Sequence, residues 1–321
     1  MTAWSRMPRL SSYRVSRFMG SLLGAMLALS TSGCLKNILV DGQLRSTRQG
    51  SDAVSTLQDY EVARSVSQGS LGQFEGMHSL RPENPDGLFL LTKAWSGSAA
   101  GFMEDDWDVA REKEDDTLAE YNLLRLRAGH RRAKYYGIQL LKLHTRGFDE
   151  ARKNHAKIRA WLLENFQHKS EAEDLLWVGF AWVSEVAAST DVPETVGELY
   201  VGAEIVRRSI ELDETLSWGM GHTILGAYHA RTAIAELDEA KVHFDRALEI
   251  NGGKFLSTKV TMATRYYCFK GDRAMYEKTL KEVAEAGDVL PEARLQNMIA
   301  KRRARRHLKS TVFQEDCGFT T

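Results

Sequence analysis

Two stretches of sequence decide the fold: RRSIELD at residues 207–213 and DRALEIN at residues 245–251, which align at a spacing of 38. Around each stretch, small, large and small residues recur at steps of four and three. The first copy has Gly202, Val206 and Ser209, and the second has Ala240, Phe244 and Ala247. Residues three and four apart share one face of an α-helix. Each stretch therefore predicts a helix whose small residues let a partner helix approach while the large residue fills the groove between them.

The partner helix is visible in ILGAYHA at residues 224–230, where Leu225, Gly226 and Tyr228 supply large, small and aromatic positions. Together the two helices resemble a tetratricopeptide repeat, a helix–turn–helix unit that stacks into arrays. Another copy, GDRAMYEKTL at residues 271–280, places Tyr276 where a small residue is expected. We therefore predict an all-α fold of stacked helical hairpins, forming an irregular tetratricopeptide-like repeat array.

The rest of the chain after residue 50 has the same helical character. Apolar residues recur at helical spacing, short breaks of Gly, Pro, Asp or Asn separate the segments, and no segment alternates as a strand does. The predicted helices span residues 51–66, 69–80, 86–103, 107–128, 131–145, 149–168, 171–188, 194–211, 215–233, 237–250, 254–270, 272–286 and 292–309. We assign residues 51–309 to one helical repeat domain and residues 310–321 to a C-terminal tail.

The charge balance excludes one class of function. Lys and Arg together equal Asp and Glu at 43 each. Four of the arginines lie within the first 33 residues, which contain no acidic residue, so the remainder of the chain is slightly acidic. A domain that binds nucleic acid normally carries a basic surplus, and we expect no nucleic acid partner.

The first 33 residues have the features of a secretory signal. Four arginines precede the apolar run FMGSLLGAMLAL at residues 18–29, which is shorter than the ~20 residues a membrane-spanning helix needs. The exit, Ser32 and Gly33 before Cys34, resembles a bacterial lipobox, with Thr31 where Leu is usual. This resemblance implies that Cys34 carries the lipid, that residues 34–50 form a tether, and that the anchor holds the protein on a membrane. The alternative is an ordinary cleaved signal followed by an incidental cysteine.

Two further cysteines are Cys268 and Cys317. An exported protein can form a disulfide between them. Cys268 lies in the aromatic run YYCF, which predicts a buried helix face, whereas Cys317 lies in a polar tail. The sequence therefore favours a buried free thiol at Cys268 over a bridge.

Several longer segments resemble the T component of tripartite ATP-independent periplasmic (TRAP) transporters, the TatT family. They are RPENPDGLFLLTKAW at residues 81–95, GFMEDDWD at 101–108, LLWVGFAW at 175–182, and LDEAKVHFDRALEINGGKFLSTKV with RYYCFKGDRAMYEKTL between residues 237 and 280. The resemblance covers roughly residues 50–308. It implies an exported helical-repeat lipoprotein of the bacterial envelope that associates with a periplasmic solute-binding protein and assists uptake of an organic ligand. Leu35, directly after the lipid site, favours the outer over the inner membrane.

Aromatic residues on two predicted helices are candidates for contacting a ligand or partner. Trp177 and Phe180 lie on a second apolar face of the helix at 171–188, and Trp95 and Phe102 lie on one line of the helix at 86–103. In a curved repeat array such faces line the concave groove. The competing interpretation is that these aromatics pack between neighbouring hairpins, since aromatic stripes at helical spacing are usually core.

Two histidines are candidates for a pocket or an interface. His222 and His229 lie seven residues apart on one side of a predicted helix, with Trp218 one turn before them. Their axial separation of about 10 Å is too large for a shared metal ion without other ligands. We expect no metal and no cofactor, and the chain contains no HExxH, paired CxxC, P-loop or GxSxG motif that would indicate an enzyme.

The charged runs are expected to be solvated. EDDWD at residues 104–108 and EKEDD at 112–116 lack the ligand spacing of a calcium loop, and KRRARRHLK at 301–309 ends a helix whose basic residues would face outward. The sequence thus favours a lipid-anchored transport accessory that docks a solute-binding protein and offers an organic solute an apolar groove. The alternative is an interaction scaffold in envelope assembly. A homo-oligomer is compatible with either function.

Overall fold

The computed structural model describes residues 33–231 and 236–319, with side chains described from residue 36 onward. The predicted leader, except Gly33 at its end, and the side chain of Cys34 lie outside the described residues. Signal cleavage and acylation of Cys34 therefore stay predictions.

All regular structure in the described part of the chain is helical, which confirms the all-α fold. The first helices are α1 Gly33–Gln49, α2 Tyr60–Leu80, α3 Pro85–Ser98, α4 Glu104–Glu112, α5 Asp116–His144, α6 Phe148–Ala151, α7 His155–Asn165 and α8 Ala172–Ala187. The later helices are α9 Pro193–Val196, α10 Leu199–Asp213, α11 Leu216–His229, α12 Leu237–Asn251, α13 Leu256–Thr261, α14 Cys268–Lys270, α15 Arg273–Glu285, α16 Arg294–Lys309 and α17 Thr311–Glu315. Short 3-10 segments at Ser51–Thr56, Lys169–Glu171 and Pro291–Ala293 and π-helical turns at Ala99–Met103 and Met262–Tyr267 complete the order.

Several helix boundaries differ from the predicted ones. The expected break near residue 68 does not occur, and α2 begins only at Tyr60, where the Asp59 carboxylate accepts hydrogen bonds from two backbone N–H groups. The expected break near residue 129 is also absent, because Gly129 packs against Met103 and Ala99 inside one continuous α5. Asn84 caps α3, as its sequence predicts, because asparagine is a favoured capping residue and Pro85 directly after it is favoured at a first helical position.

Consecutive long helices pack as hairpins: α3 with α5, α8 with α10, α11 with α12, and α15 with α16. The small and large positions identified in the sequence lie in these contacts. Ala240, Phe244 and Ala247 are fully buried, and a Cβ atom at Gly226 would lie 2.9 Å from the Phe244 ring. The missing side chain of Gly226 thus makes room for Phe244, which is the predicted pairing of small with large. The tetratricopeptide assignment itself stays a prediction.

Five helices and the π-helical turn Ala99–Met103 contact one another in a closed ring, whereas the sequence suggested a curved array with a concave groove. In order, α3 contacts α8, α8 contacts α11, α11 contacts α13, and α13 contacts α16. Helix α16 closes the ring by contacting the π-helical turn that directly follows α3. Ile299 packs on Gly101 of this turn, and the Arg303 side chain donates to the Ala100 carbonyl. We call these five the inner helices.

Buried ion pairs close this ring and correct two expectations about the charged runs. Asp105 and Asp108 of EDDWD are 4% and 5% exposed, so this run is not a solvated helix end. Arg306 of the last basic run is 7% exposed and lies 2.8 Å from Asp105 and 3.4 Å from Asp108. Arg302 and Arg303 pair with the same acidic run, so these basic residues face inward.

The electrostatics of this cluster follow from burial and pairing. Burial opposes ionisation of Asp105, but hydrogen bonds from Arg302 and Arg306 outweigh it and hold the pKa of Asp105 below its usual range. Burial raises the pKa of Asp108 to about 7, against the opposing attraction of Arg303. The sequence separation of about two hundred residues hid this pairing, since nothing local links the two runs.

The segment expected to be a tether is also folded. Residues Gly33–Gln49 form α1, whose Leu44 is fully buried beside Gly87. Asp41 accepts hydrogen bonds from Arg81, and Arg48 pairs with Asp174 at 2.6 Å. The C-terminal half of α1 therefore packs on the folded body through one face, while its other face stays exposed.

The expected polar tail and free thiol are wrong as well. Cys268 and Cys317 form a disulfide with their Cα atoms 4.9 Å apart. Phe313 of α17 is 2% exposed, and Asp316 accepts hydrogen bonds from Arg111 of α4. The C-terminal segment is thus joined to α14 by the disulfide and to α4 by the Arg111–Asp316 contact.

Candidate functional site on the inner helices

Trp177 and Phe180 of α8 lie together at the inner ring, as their shared face predicted. Their ring centroids are 5.8 Å apart in an edge-to-face arrangement. Both side chains are half-buried, and the indole Nε1 of Trp177 is buried without a hydrogen-bond partner among the described residues. An aromatic pair with an unused donor suits a contact with a partly polar ligand or peptide.

A lysine from α3 lies beside this aromatic pair. The Lys93 ammonium lies 5.3 Å from the centre of the Trp177 ring and 5.5 Å from that of Phe89. It donates to Asp52 at 2.7 Å and to Glu173 at 3.2 Å. A cation held over two aromatic faces is stabilised by cation–π attraction, so Lys93 is held in place beside Trp177 with its charge offset by the two carboxylates.

The 3-10 segment Ser51–Thr56 covers the same end. Ser51 and Asp52 accept from Lys93, and Ser55 accepts from Gln296 of α16. Together with α1 and the starts of α3 and α8, the segment borders a cleft of about 380 Å³ whose lining is almost entirely charged or polar. The cleft lies next to the Lys93–Trp177 pair.

The other two aromatic candidates are part of the packing. Trp95 donates its indole N–H to Glu75 of α2 at 2.8 Å. Phe102 is 2% exposed and packs edge-on against Tyr60 at 5.2 Å. For these two residues the structure supports the competing interpretation of aromatic packing between elements.

Trp218 lies at a kink near the start of α11. Ser217, Trp218 and Gly219 all have positive φ angles, so the backbone turns in the left-handed region. The Trp218 ring stacks on Phe255 at 5.4 Å, and its carbonyl accepts from Asn251. Its position is therefore fixed by contacts to the α12–α13 connection, separate from Trp177.

His222 and His229 are brought together by a third histidine that the sequence analysis missed. His243 of α12 lies between them: its Nδ1 is 2.9 Å from Nδ1 of His222, and its ring stacks on His229 with centroids 5.4 Å apart. Glu214 lies 3.2 Å from His222 and Glu236 lies 2.8 Å from His229. The three imidazoles thus form a row with a carboxylate at each end.

Burial disfavours protonation of two of these histidines, His243 and His222. Burial lowers the pKa of His243 to about 4, with repulsion from His222, His229 and Arg207 acting in the same direction. Burial also lowers the pKa of His222. A hydrogen bond from Arg246 and a second from His222 lower the pKa of Glu214 to about 2, so this end of the row stays anionic.

His243 carried only a weak sequence signal. It precedes Phe244, the large residue of the repeat motif, and so lies beside the hairpin contact rather than inside it. Knowing that α11 and α12 pair would have placed it opposite His222.

Among the described residues, 33–231 and 236–319, no group of three or more His, Cys, Asp or Glu side chains is arranged to hold a metal ion. The same ranges contain no helix that is both long and apolar enough to span a membrane.

These features define a class: an all-α protein built from helical hairpins whose inner helices close into a ring. The model of one family, the TRAP transporter T-component, matches residues 57–312. The chain belongs to this family, which confirms the resemblance found in the sequence. No curated protein matches the chain. As a T component, the protein is a part of a TRAP transport system of the cell envelope.

Proposed function

We propose that the protein is a lipid-anchored, periplasm-facing accessory that docks the solute-binding protein of its transport system and assists uptake of an organic solute. The observation that carries this proposal is the family match over residues 57–312. The Trp177–Phe180 pair supports it, because an aromatic pair with an unpaired indole N–H suits contact with a partly polar organic ligand or partner segment. The role is one of binding, with no catalysis.

The docking part is tested by capture. The mature protein, immobilised through a C-terminal tag, is exposed to the purified solute-binding protein encoded beside it, with solute-binding proteins of unrelated transporters as controls. We expect selective retention of the cognate protein. Equal retention of all the binding proteins, or of none, would refute docking, and selective retention of extended peptides alone would favour the scaffold function.

The anchor is tested separately by mass spectrometry of the protein extracted from membranes in mild detergent. We expect a diacylglyceryl group on Cys34 and loss of membrane association in Cys34→Ala. A mature protein that lacks Cys34, or a variant that stays in the membrane fraction, would contradict the lipid anchor.

A further inference from the structure

One face of α1 is uncovered. The packed face carries Leu44, which is fully buried beside Gly87, and Arg48 one turn later, which pairs with α8. The opposite face carries Ile38 and Leu39, which are 66% and 65% exposed. These are the most exposed large apolar side chains among residues 36–231 and 236–319, and their contact with water is unfavourable.

The same face continues along α1 without a bulky or charged side chain. Gly42 follows Leu39 by three residues and Ser46 follows Gly42 by four, so these positions lie in one row. A Cβ atom at Gly42 would have nothing within 4 Å, and Ser46 is exposed. No other described element therefore covers this row, which together with Ile38 we call the outer face of α1.

Two cations border the outer face, one at each edge. Lys36 and Arg45 are nine residues apart, which is two and a half turns at about 3.6 residues per turn, so they lie on opposite sides of α1. Both side chains are exposed, and neither forms an ion pair with another described residue. The one acidic residue of α1, Asp41, lies towards the body and accepts hydrogen bonds from Arg81. The edges of the outer face therefore carry uncompensated positive charge.

This pattern is typical of a helix that lies in a membrane surface. Apolar side chains on such a helix enter the boundary of the acyl chains, while Lys and Arg on its flanks extend their aliphatic stems towards the headgroups. The sign of the charge favours an anionic bilayer, because its surface attracts Lys and Arg within about one Debye length.

The position of α1 in the chain favours a bilayer over a protein partner. The lipid proposed for Cys34 is attached to the first turn of this same helix. Leu44, which is fixed in the body, follows ten residues later, about 15 Å along the helix axis. A lipid at Cys34 thus leaves only a short stretch of helix between the membrane and the body, and it brings the outer face to the headgroups.

We propose that the outer face of α1 lies on an anionic lipid bilayer, with Ile38 and Leu39 inserted at the level of the headgroups and Lys36 and Arg45 bound to lipid phosphates. The folded body is then held against the membrane in one orientation, which a lipid on a free tether does not impose. The choice of a bilayer as the partner rests on the lipid anchor of the proposed function. The inference adds a second membrane contact, which strengthens the anchoring.

The test is co-sedimentation of the chain from residue 34 onward, carrying Cys34→Ser so that no acyl group contributes. The vesicles contain either phosphatidylglycerol mixed with phosphatidylcholine or phosphatidylcholine alone. We expect half-maximal binding to the anionic vesicles at about 1 mM lipid, since the contact buries less apolar surface than a myristoyl chain, whose association constant is about 10⁴ M⁻¹. Binding to phosphatidylcholine alone should be at least about tenfold weaker, because each cation near an anionic surface strengthens binding about fivefold.

Two double variants assign the binding to the outer face and its edges. Ile38→Gln with Leu39→Gln should weaken binding to the anionic vesicles at least about tenfold, because the apolar insertion is lost. Lys36→Gln with Arg45→Gln should remove most of the preference for anionic lipid.

The matched control removes the same kinds of side chain elsewhere. It is Val242→Gln with Lys278→Gln, since Val242 is 63% exposed on α12 and Lys278 is exposed on α15. The control should bind as the unaltered protein does. All these positions are exposed, and equal melting temperatures would show that each variant is folded.

No binding to the anionic vesicles at ten times the expected lipid concentration would overturn the inference. An unchanged affinity in the Ile38→Gln, Leu39→Gln variant, or an equal loss in the control, would overturn it as well. Equal binding to both kinds of vesicle would overturn the role of Lys36 and Arg45. The measurement requires neither the acyl group nor the solute-binding protein, so its failure is distinguishable from failure of the lipid anchor or of docking.

Discussion

Replacing Arg306 by Met should weaken the closure of the ring. The Arg306 side chain is 6% exposed and lies 2.8 Å from Asp105 and 3.4 Å from Asp108. Removing one partner of a buried ion pair costs about 3–5 kcal/mol, because the remaining charge is left uncompensated. Arg302 keeps its contact with Asp105 at 2.9 Å, so we expect the lower end, about 3 kcal/mol.

The assay is urea unfolding followed by circular dichroism, with the melting temperature as a second measure. A loss of about 3 kcal/mol should lower the melting temperature by roughly 6–10 °C. Arg305→Met is the matched control, since Arg305 is exposed on the same helix and should cost under about 1 kcal/mol. Adding Asp108→Asn to Arg306→Met should recover part of the loss, because it removes a stranded carboxylate.

Equal effects of Arg306→Met and Arg305→Met would refute this reasoning. So would a double variant with Asp108→Asn that is less stable than Arg306→Met alone. Either result would mean that apolar packing between α16 and the π-helical turn, and not the ion pairs, carries the closure.

Three further predictions test other parts of the fold. Gly226→Ala should lower the free energy of unfolding in urea by about 1–3 kcal/mol, because its Cβ would lie 2.9 Å from the Phe244 ring. Gly69→Ala, with open space around it, should leave the free energy of unfolding unchanged or raise it. The pKa of His243 is lowered to about 4 from its ordinary 6.5, so the stability that neutral His243 contributes is complete above pH 6.5 and is lost as pH falls towards 4. His243→Gln should therefore flatten the plot of unfolding free energy against pH between these values. An unchanged slope would contradict the burial effect. Cys317→Ser should cost about 2–4 kcal/mol under oxidising conditions and nothing in the presence of a reductant, measured by melting temperature.

The local parts of the fold were predictable from the sequence, because their signals lie within one hairpin. Gly226, Ala240 and Phe244 identified a hairpin contact, and Asn84 with Pro85 identified a helix start. These signals act over a few residues or between adjacent helices. They do not depend on where the rest of the chain lies.

The closure of the ring was not predictable in the same way. The acidic run at residues 104–108 has the composition of a solvated helix end. Its cationic partner Arg306 lies about two hundred residues away, so nothing near the run in the sequence indicates the ion pair. The same holds for Cys317, whose polar neighbours hide its bond to Cys268.

Closure has a consequence for where partners can bind. A curved array can offer its concave face to a partner, but here α16 packs on α13 and on the π-helical turn Ala99–Met103. Three arginines of this helix form ion pairs with the acidic run: Arg302 and Arg306 with Asp105, Arg306 also with Asp108, and Arg303 with Glu104. The basic run therefore contributes little net charge to the surface, and the same holds for Lys93, which pairs with Asp52 and Glu173. We therefore expect partner binding to depend on contacts such as the aromatic pair of Trp177 and Phe180, whose indole N–H is unpaired among the described residues, and less on attraction between opposite charges.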